Sequence, residues 1–391
     1  WSAVGTLRFQ VAPLIIGLSF LLTREVSFSL WAFYWLGRLE TVLGTALGIN
    51  GIGIAAGGDT FPFPGHQTAG AYLALAGVSI WIAREPIRRV IMRGLSFQKH
   101  PDEDEEPLSY RAAVWGGLLS FAFMIIFASY SGMPITISVP LLLIAFGYLL
   151  AMTRLTSEGG MPWMYEPDWR AHDIIRALVP YRSLTAVNWS SIAMMTIFTY
   201  DMRVSPMPRM MQSLKLSEDT KTGNRAITWA IAIGTIVAIP VSYWAVLDAG
   251  YTNGGVAINT YRFVSLARAP GQLVERLAAN PLKSPDWLSL GLLGYGASKL
   301  LVLSFLRVNY LWWPFHPVGY AMSYIVYVAR EWLSVMIGWA AQTVLLRYGG
   351  HGAFRKYRPL FLGLIFGAML AAGLWLVVDG VTGLRDHKIL Y

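Results

Sequence analysis

The chain has 391 residues, of which 55% are hydrophobic and only 14% are charged, with a net charge of +9. Because a soluble domain carries roughly 25% charged residues, this composition excludes an ordinary soluble enzyme, a disordered chain and a coiled coil. The mean hydropathy of +0.48 indicates a membrane protein with many helices. The sequence contains no Cys, which excludes disulfides and thiolate-bound metals, and no metal site or catalytic residue is predicted.

Apolar runs that approach the length of a membrane-spanning helix, roughly 20 residues, recur along the whole chain. We predict an all-α transmembrane helix bundle of about ten segments, some of them broken or re-entrant, forming a single domain over residues 1–391. Residues 250–286 are predicted to be a long loop with either an interfacial helix or an ordinary helix packed on the bundle. In chain order the apolar runs are 11–22, 26–36, 42–49, 69–83, 112–130, 135–152, 184–200, 226–247, 288–306, 318–346 and 360–378.

Three loops are rich in Lys and Arg, a bias that marks the cytoplasmic side of a membrane protein. An odd number of apolar runs separates the second loop from the first, and likewise the third from the second, so the three share a side only if some runs do not cross. We predict that 184–200 does not span and that 318–346 is a hairpin of two half-helices with Arg330 and Glu331 near its middle. The positive charge then reflects orientation in the membrane and not nucleic-acid binding. The three loops are 84–99, 203–225 and 347–358.

Charged side chains inside membrane segments cost roughly 2.5–3.5 kcal/mol each and are usually functional or paired. Lys299 lies deep in an apolar run and needs an acidic partner, for which Asp201, Asp248 and Glu158 are candidates. The basic–acidic clusters are Arg24 with Glu25, Arg38 with Glu40, Arg84 with Glu85 and Arg330 with Glu331. The amides of Gln67, Asn188 and Asn309 are further candidates to contact a polar solute.

From these we select a substrate or proton pathway that consists of Arg24, Glu25, Glu158, Asn188, Lys299, Arg330 and Glu331. Each has a structural alternative, namely an interhelical ion pair, an interfacial anchor or a hydrogen bond between helices.

Two motifs predict a gate or a helix break. In EGGMP (158–162) the glycines allow the chain to bend, and in WWPFHP (312–317) the prolines remove backbone donors. The second motif has an interfacial aromatic anchor as its alternative. The candidate residues are Gly159, Gly160, Pro162, Pro314, His316 and Pro317.

Six strings together resemble an uncharacterised group of bacterial multi-pass membrane proteins that is distantly similar to the oligopeptide transporter family. The resemblance implies a proton-driven secondary transporter of small peptides or metal chelates in the bacterial cytoplasmic (inner) membrane. Because such proteins are longer, it also implies that this chain is the C-terminal part of a longer one. The strings are VSFSLWAFYW (26–35), QTAGAYLALA (67–76), EPLSYRAAVWGG (106–117), RLTSEGGMPW (154–163), LWWPFHPVGYAMS (311–323) and LLRYGGHGAFRKYRPLFLGLIFG (345–367).

Two functions stay open. The first is proton-coupled secondary transport of a small peptide or a chelate-type polar solute. The second is a non-transporting structural subunit of a larger membrane protein complex. The expected partner is the lipid bilayer, alone or with a homo-oligomer or a larger membrane complex, and not nucleic acid. No HExxH or GxSxG motif supports a membrane enzyme.

Overall fold

The structure is a computed structural model of the chain that describes residues 2–49, 59–96, 103, 106–161, 164–279 and 281–383. The described residues are mostly helical and contain no strand, which confirms the all-α prediction. The helices are α1 (Pro13–Leu21), α2 (Arg24–Ala46), α3 (Pro64–Ile82), α4 (Arg84–Leu95), α5 (Tyr110–Tyr130), α6 (Ile135–Gly159), α7 (Ala171–Leu178), α8 (Ala186–Thr199), α9 (Pro206–Thr220), α10 (Asn224–Asn253), α11 (Gly255–Ile258), α12 (Leu266–Ala279), α13 (Trp287–Asn309), α14 (Pro317–Ser323) and α15 (Val326–Thr382). Short 3₁₀ turns occupy Ser2–Val4, Tyr181–Ser183 and Met202–Val204, and a π-helical turn occupies Tyr261–Ser265.

Five stretches of the described chain are long and apolar enough to cross a membrane, and the protein is therefore a membrane protein. The predicted count of about ten is not confirmed. Helix α8, which covers most of 184–200, has 14 residues, or roughly 21 Å, and is too short for a hydrocarbon core of roughly 30 Å. The five stretches are Tyr110–Tyr130, Ile135–Gly159, Asn224–Asn253, Trp287–Asn309 and Val328–Thr382.

The chain divides into two compact units. Unit 1 consists of Trp1–Ala74, Glu158–Asp168 and Leu292–Tyr391, and unit 2 of Leu75–Ser157 and Trp169–Gly291. Each unit therefore collects segments that are far apart in the sequence, and each is described by itself below.

In unit 1 the second and third predicted segments form one helix, α2, which runs over Arg24–Ala46. The charged residues between the two runs lie inside this helix and have partners. Arg38 donates to the carbonyl of Val4 (3.0 Å), its guanidinium lies 5.2 Å from the ring centroid of Tyr34, and Glu40 accepts from a lysine described below. Because both charges are satisfied within the protein, the helix continues through them.

The chain reverses direction between α14 and α15, so that 318–346 forms two helices and not one. At the start of α14 the backbone N–H of His316 donates to the hydroxyl of Ser29 (2.7 Å), and after its end the ring of Tyr324 lies against Gly37. The contacts of α14 with α2 therefore move toward the C-terminal end of α2.

The contacts of α15 with the same region run the opposite way. Trp332 stacks on Tyr34 with ring centroids 5.8 Å apart, and further along Gln342 donates to the carbonyl of Leu22 (2.8 Å). The two helices thus form a hairpin whose tip is at Tyr324. The hairpin is unequal, because α14 has seven residues whereas α15 continues far beyond, and Arg330 and Glu331 lie on α15 and not at the tip.

A second reversal divides α15 at Gly350 into a first arm, 326–349, and a second arm, 351–382. Gly338 in the first arm packs against Ile16, and Phe361 in the second arm stacks on Phe20 with ring centroids 3.6 Å apart. In a straight helix these two residues of α15 would lie roughly 35 Å apart, yet both contact α1, which has nine residues. Gly350 allows the turn, because its φ of 62° and ψ of −166° are open to glycine alone.

The core of unit 2 surrounds Trp189 of α8. Met133 and Ile175 are buried with it, and Leu277 of α12 completes the cluster. Helix α12, which lies within 250–286, therefore packs on α8 through Leu277.

Two long apolar helices of unit 2 are largely exposed along their most apolar stretches. Only 6% of the most apolar stretch of α5 is buried, and none of that of α10. Their side chains must therefore face lipid or a neighbouring protein.

Candidate functional site

Lys299 lies midway along α13, a 23-residue helix that is long and apolar enough to cross a membrane. At 1.5 Å per residue, either end of the helix is roughly 15–18 Å away. A Lys at that depth is costly unless it is paired or faces a polar path.

The ammonium group of Lys299 donates to Glu40 Oε1 (3.0 Å) and to Gln67 Oε1 (3.1 Å). Tyr320 donates to the same oxygen of Gln67 (2.9 Å), and Tyr324 donates to Glu40 Oε2 (3.4 Å). We call these five residues the Lys299 cluster. Its hydrogen bonds join α13, α2, α3, α14 and the tip of the hairpin at one point.

Aromatic rings complete the surroundings of the ammonium group. Its nitrogen lies 5.4 Å from the ring centroid of Tyr320 and 5.0 Å from that of Tyr295. A cation over an aromatic face is stabilised by the ring quadrupole, more strongly where water is excluded. The cluster therefore holds a positive charge by an ion pair, an amide and two rings.

Two glycines bring α3 close enough for Gln67 to reach Lys299. A Cβ atom on Gly296 would collide with the backbone of Gln67, and a Cβ atom on Gly70 would collide with the carbonyl of Leu293. The contacts are reciprocal, one glycine from each helix against the backbone of the other. Small residues at such positions allow membrane helices to pack backbone to backbone.

The charged pair is partly accessible, whereas the groups that support it are buried. The side chain of Lys299 is 24% exposed and that of Glu40 is 33% exposed. Gln67 and Tyr320 are buried. A small solute or an ion that came to this face would meet the two charges, with Gln67 and Tyr320 buried next to them.

A second ion pair joins the same two helices. Arg307, near the end of α13, donates to Glu25, near the start of α2, at 2.5 Å. Its side chains are 36% and 47% exposed, respectively. We call Lys299 with Glu40 the inner pair and Arg307 with Glu25 the outer pair.

The family model DUF6785, described as a family of unknown function, matches residues 1–391. The chain belongs to this family. No curated protein and no solved structure matches the chain. The family description assigns no activity.

The predicted partners of Lys299 were wrong, because the acid that pairs with it is Glu40. Asp201 instead forms an ion pair with Arg203. Glu158 is exposed in the last turn of α6, and Asp248 lies in α10. The sequence alone does not show which acid of a distant segment comes into reach.

Of the other predicted pathway residues, Glu25 belongs to the outer pair and Arg24 is exposed beside it. Both polar atoms of the Asn188 side chain form hydrogen bonds with the backbone. Its Oδ1 accepts from the N–H of Thr185 (2.9 Å), and its Nδ2 donates to the carbonyl of Gly132 (2.7 Å). With Thr185 it forms the capping box at the start of α8.

Glu331 is buried on the first arm of α15, where Ser334 donates to its Oε2 (3.1 Å). Within the part of the chain that the structure describes, Oε1 has no hydrogen-bond partner. Arg330 next to it is only partly buried. The two neighbours therefore face different surroundings, and neither belongs to the Lys299 cluster.

The described gate residues lie at the end of α6 and around the start of α14. Gly159 ends α6 and packs against Val318 of α14, and Gly160 follows with a φ of 68°. Pro162 lies outside the described residues. Pro314 is exposed in the connection between α13 and α14, and Pro317 is the first residue of α14.

His316 caps α14 through its side chain, whose Nδ1 accepts from the backbone N–H of Val318 (3.1 Å). Burial, together with the nearby charge of Arg307, lowers the pKa of His316 to about 4, against a smaller opposing effect of Glu25. His316 is therefore neutral at pH 7, as its role as an acceptor requires.

Sequence reasoning selected Lys299 but missed Glu40, Tyr320 and Tyr324 as members of the site. In the sequence Glu40 was paired only with Arg38, and the two tyrosines are uncharged, so they do not stand out as charges in an apolar segment. One signal was available: the two acids of α2 and the two bases of α13 are complementary. Among the residues that the structure describes, no three His, Asp or Glu side chains come together to hold a metal ion.

Proposed function

We propose that this protein is a secondary transporter and that the Lys299 cluster lies on its substrate or proton pathway. The observation that carries the proposal is a partly exposed ion pair, midway along an apolar helix of spanning length, in contact with the tip of a broken-helix hairpin. Charges at that depth usually mark a pathway. Broken helices that meet near mid-membrane are typical of secondary transporters.

The cluster offers a simple way to couple a proton to a solute. A proton on Glu40 would cancel its attraction for Lys299, which would leave the ammonium group able to bind an anionic group of the solute. The amide of Gln67 and the tyrosine hydroxyls supply further hydrogen bonds for a polar ligand. A small peptide or a metal chelate, each with carboxylates, fits this chemistry and the resemblance noted from the sequence.

The reversals also suggest a topology in the bacterial cytoplasmic membrane. If the hairpin of α14 and the first arm of α15 enters and leaves on one side, and α8 does not span, then all three basic loops face the cytoplasm. Helices α2 and α3, with 23 and 19 residues, are long enough to cross as well. The described helices then cross seven times, with the hairpin in addition, and the tip of the hairpin lies beside Lys299.

Uptake into proteoliposomes tests the transport proposal. The purified protein is reconstituted, a pH gradient is imposed, and uptake is measured for a mixture of labelled di- and tripeptides and for a labelled ferric chelate. We expect uptake that depends on the gradient and that falls to background in Lys299→Met and Glu40→Gln. Arg307→Met, on the same helix, is the matched control and should retain uptake.

Equal loss in Arg307→Met would contradict a specific role of the inner pair. Absence of any uptake or proton flux, with a correctly folded protein, would reject transport itself.

One observation favours the second function, a structural subunit of a larger complex. The most apolar stretch of α10 is not buried at all within this chain, and the helix presents Trp229, Tyr243 and Trp244 outward. Aromatic residues are enriched where proteins bind one another. Purification in mild detergent from native membranes, followed by native mass spectrometry, distinguishes the two: a constant partner at fixed stoichiometry would favour the subunit.

A further inference from the structure

Helix α4 of unit 2 is short, basic and amphipathic. Its 12 residues contain Arg84, Arg88, Arg89 and Arg93 but a single acid, Glu85. On a helix, residues four apart share a row, so these arginines occupy two neighbouring rows. The helix thus presents a continuous basic face.

A row of apolar side chains lies next to the basic face. Ile87, Ile91 and Leu95 follow one another at intervals of four, and all three are exposed. Met92 at the edge of the basic face is exposed as well. A soluble surface rarely leaves a whole row of this kind uncovered.

A third row of α4 fixes its position beside a membrane-spanning helix. A Cβ atom on Gly94 would collide with Val114 and the backbone of Tyr110 in α5, so the two helices are in close contact there. Arg93 donates to the hydroxyl of Tyr110 (3.2 Å), at the start of α5. Since α4 begins directly after α3 ends and contacts the first turns of α5, it is held at the end of a span.

We propose that α4 lies in the membrane interface and binds the phosphate groups of anionic phospholipids. The apolar row, adjacent to the side that contacts α5, enters the acyl boundary, and the arginines extend to the headgroups. The side chain of Arg84 has an arrangement typical of the membrane interface, since its guanidinium lies 4.6 Å from the ring centroid of Trp81, which is exposed. The proposal does not depend on transport.

Charge complementarity decides for a lipid surface over other occupants. Helix α9 of the same unit is also exposed, but its Lys215 pairs with Glu218 (2.9 Å) and Asp219 (3.3 Å). Its basic charge is thus balanced on its own surface, whereas α4 has one acid against four arginines. The excess on α4, together with the apolar row, matches the composition of a bilayer surface that contains anionic lipid.

Native mass spectrometry of the full chain in detergent tests the proposal. The protein is stripped of lipid and titrated with phosphatidylglycerol or with phosphatidylcholine, and bound lipids are counted. We expect phosphatidylglycerol to bind more tightly, and its binding to weaken about thirtyfold in the double variant Arg88→Gln/Arg89→Gln. The double variant Arg209→Gln/Lys215→Gln on α9 is the matched control and should bind as the unchanged protein does.

Thermal unfolding in nanodiscs gives a second readout. Phosphatidylglycerol should raise the melting temperature of the unchanged protein and of the α9 control more than that of the α4 variant. Equal binding of the two lipids, or binding unchanged by the α4 substitutions, would overturn the proposal. A protein that co-purifies only when α4 is intact, with no lipid preference, would overturn it in favour of a protein partner.

Discussion

The inner and outer ion pairs join the same two helices but lie in different surroundings. Lys299 and Glu40 meet midway along α13, where Gln67 and two tyrosines surround them. The side chain of Lys299 is 24% exposed and that of Glu40 is 33% exposed. Arg307 and Glu25 meet at the helix end, and both are more exposed. An exposed pair contributes roughly 0–1 kcal/mol, whereas removal of one partner of a buried pair costs about 3–5 kcal/mol.

The difference separates two uses of charge in a membrane protein. The outer pair needs no explanation beyond anchoring, because a long Arg side chain can reach the interface from a helix end. The inner pair cannot reach water in that way, so its charges have to be stabilised by the protein. A protein that needed only to hold α2 against α13 would do so as well with apolar side chains at the inner position.

The largest effect should follow from breaking the inner pair. Lys299→Met leaves the carboxylate of Glu40 without its cation. Because the pair is partly exposed, we expect a loss in stability of about 2–3 kcal/mol, between the values for an exposed and a buried pair, together with the loss of uptake. Thermal unfolding in detergent measures the first. The double variant Lys299→Met/Glu40→Gln should be more stable than the sum of the single losses predicts, yet still inactive. Additive losses would mean that the two residues do not act as a pair.

The next largest effect should come from the close contact beside the inner pair, between Gly296 of α13 and the backbone of Gln67 in α3. Gly296→Ala places a methyl group into the backbone of Gln67, and overpacking of this kind costs about 1–3 kcal/mol. Gly294→Ala, two residues away, meets open space, and should be neutral or stabilising by up to about 1 kcal/mol. Comparison of the two melting temperatures checks the prediction. If both variants behave alike, α3 does not approach α13 as closely as described.

The outer pair should be far less sensitive. We expect Arg307→Met and Glu25→Gln each to change stability by less than about 1 kcal/mol, because both side chains are partly exposed and screened by salt. Uptake should persist. Unfolding measured at low and at high ionic strength should show the small effect shrinking as salt is added. A loss as large as that of Lys299→Met would remove the distinction between the pairs.

The smallest effect at neutral pH concerns His316, which lies near the outer pair. Its folded pKa of about 4 is below the unfolded value of 6.5, so between these pH values the unfolded state binds more protons and stability falls as pH falls. His316→Asn keeps a capping acceptor without titrating in this range. The variant should therefore show a flatter dependence of melting temperature on pH between 6.5 and 4. An unchanged slope would assign the dependence to other groups.

Sequence reasoning predicted the helical class and the positions of most long helices because apolar length is a local property. Helix α13 was expected over 288–306 and runs over Trp287–Asn309. The break inside 318–346 also followed from a simple argument, the sidedness of basic loops. Its unequal arms did not, since they depend on where Tyr324 meets Gly37 and Glu40.

The site was harder to predict than the helices for a physical reason. Lys299 stands out as a charge in an apolar run, but its partner is set by three-dimensional packing and lies 259 residues away in the sequence. The glycines that bring Gln67 into reach are indistinguishable in sequence from Gly291 and Gly294, where an added Cβ atom would meet open space. Only the packing of the helices shows which glycine allows a close backbone contact.

The separation of Glu40 and Lys299 along the chain has a consequence for how the protein is made. Synthesis proceeds at roughly 5–20 residues per second, so a ribosome completes Glu40 roughly 13–50 s before Lys299, 259 residues later. During that interval Glu40 exists without Lys299, and Glu25 without Arg307. Both ion pairs between α2 and α13 can therefore form only after most of the chain has been synthesised.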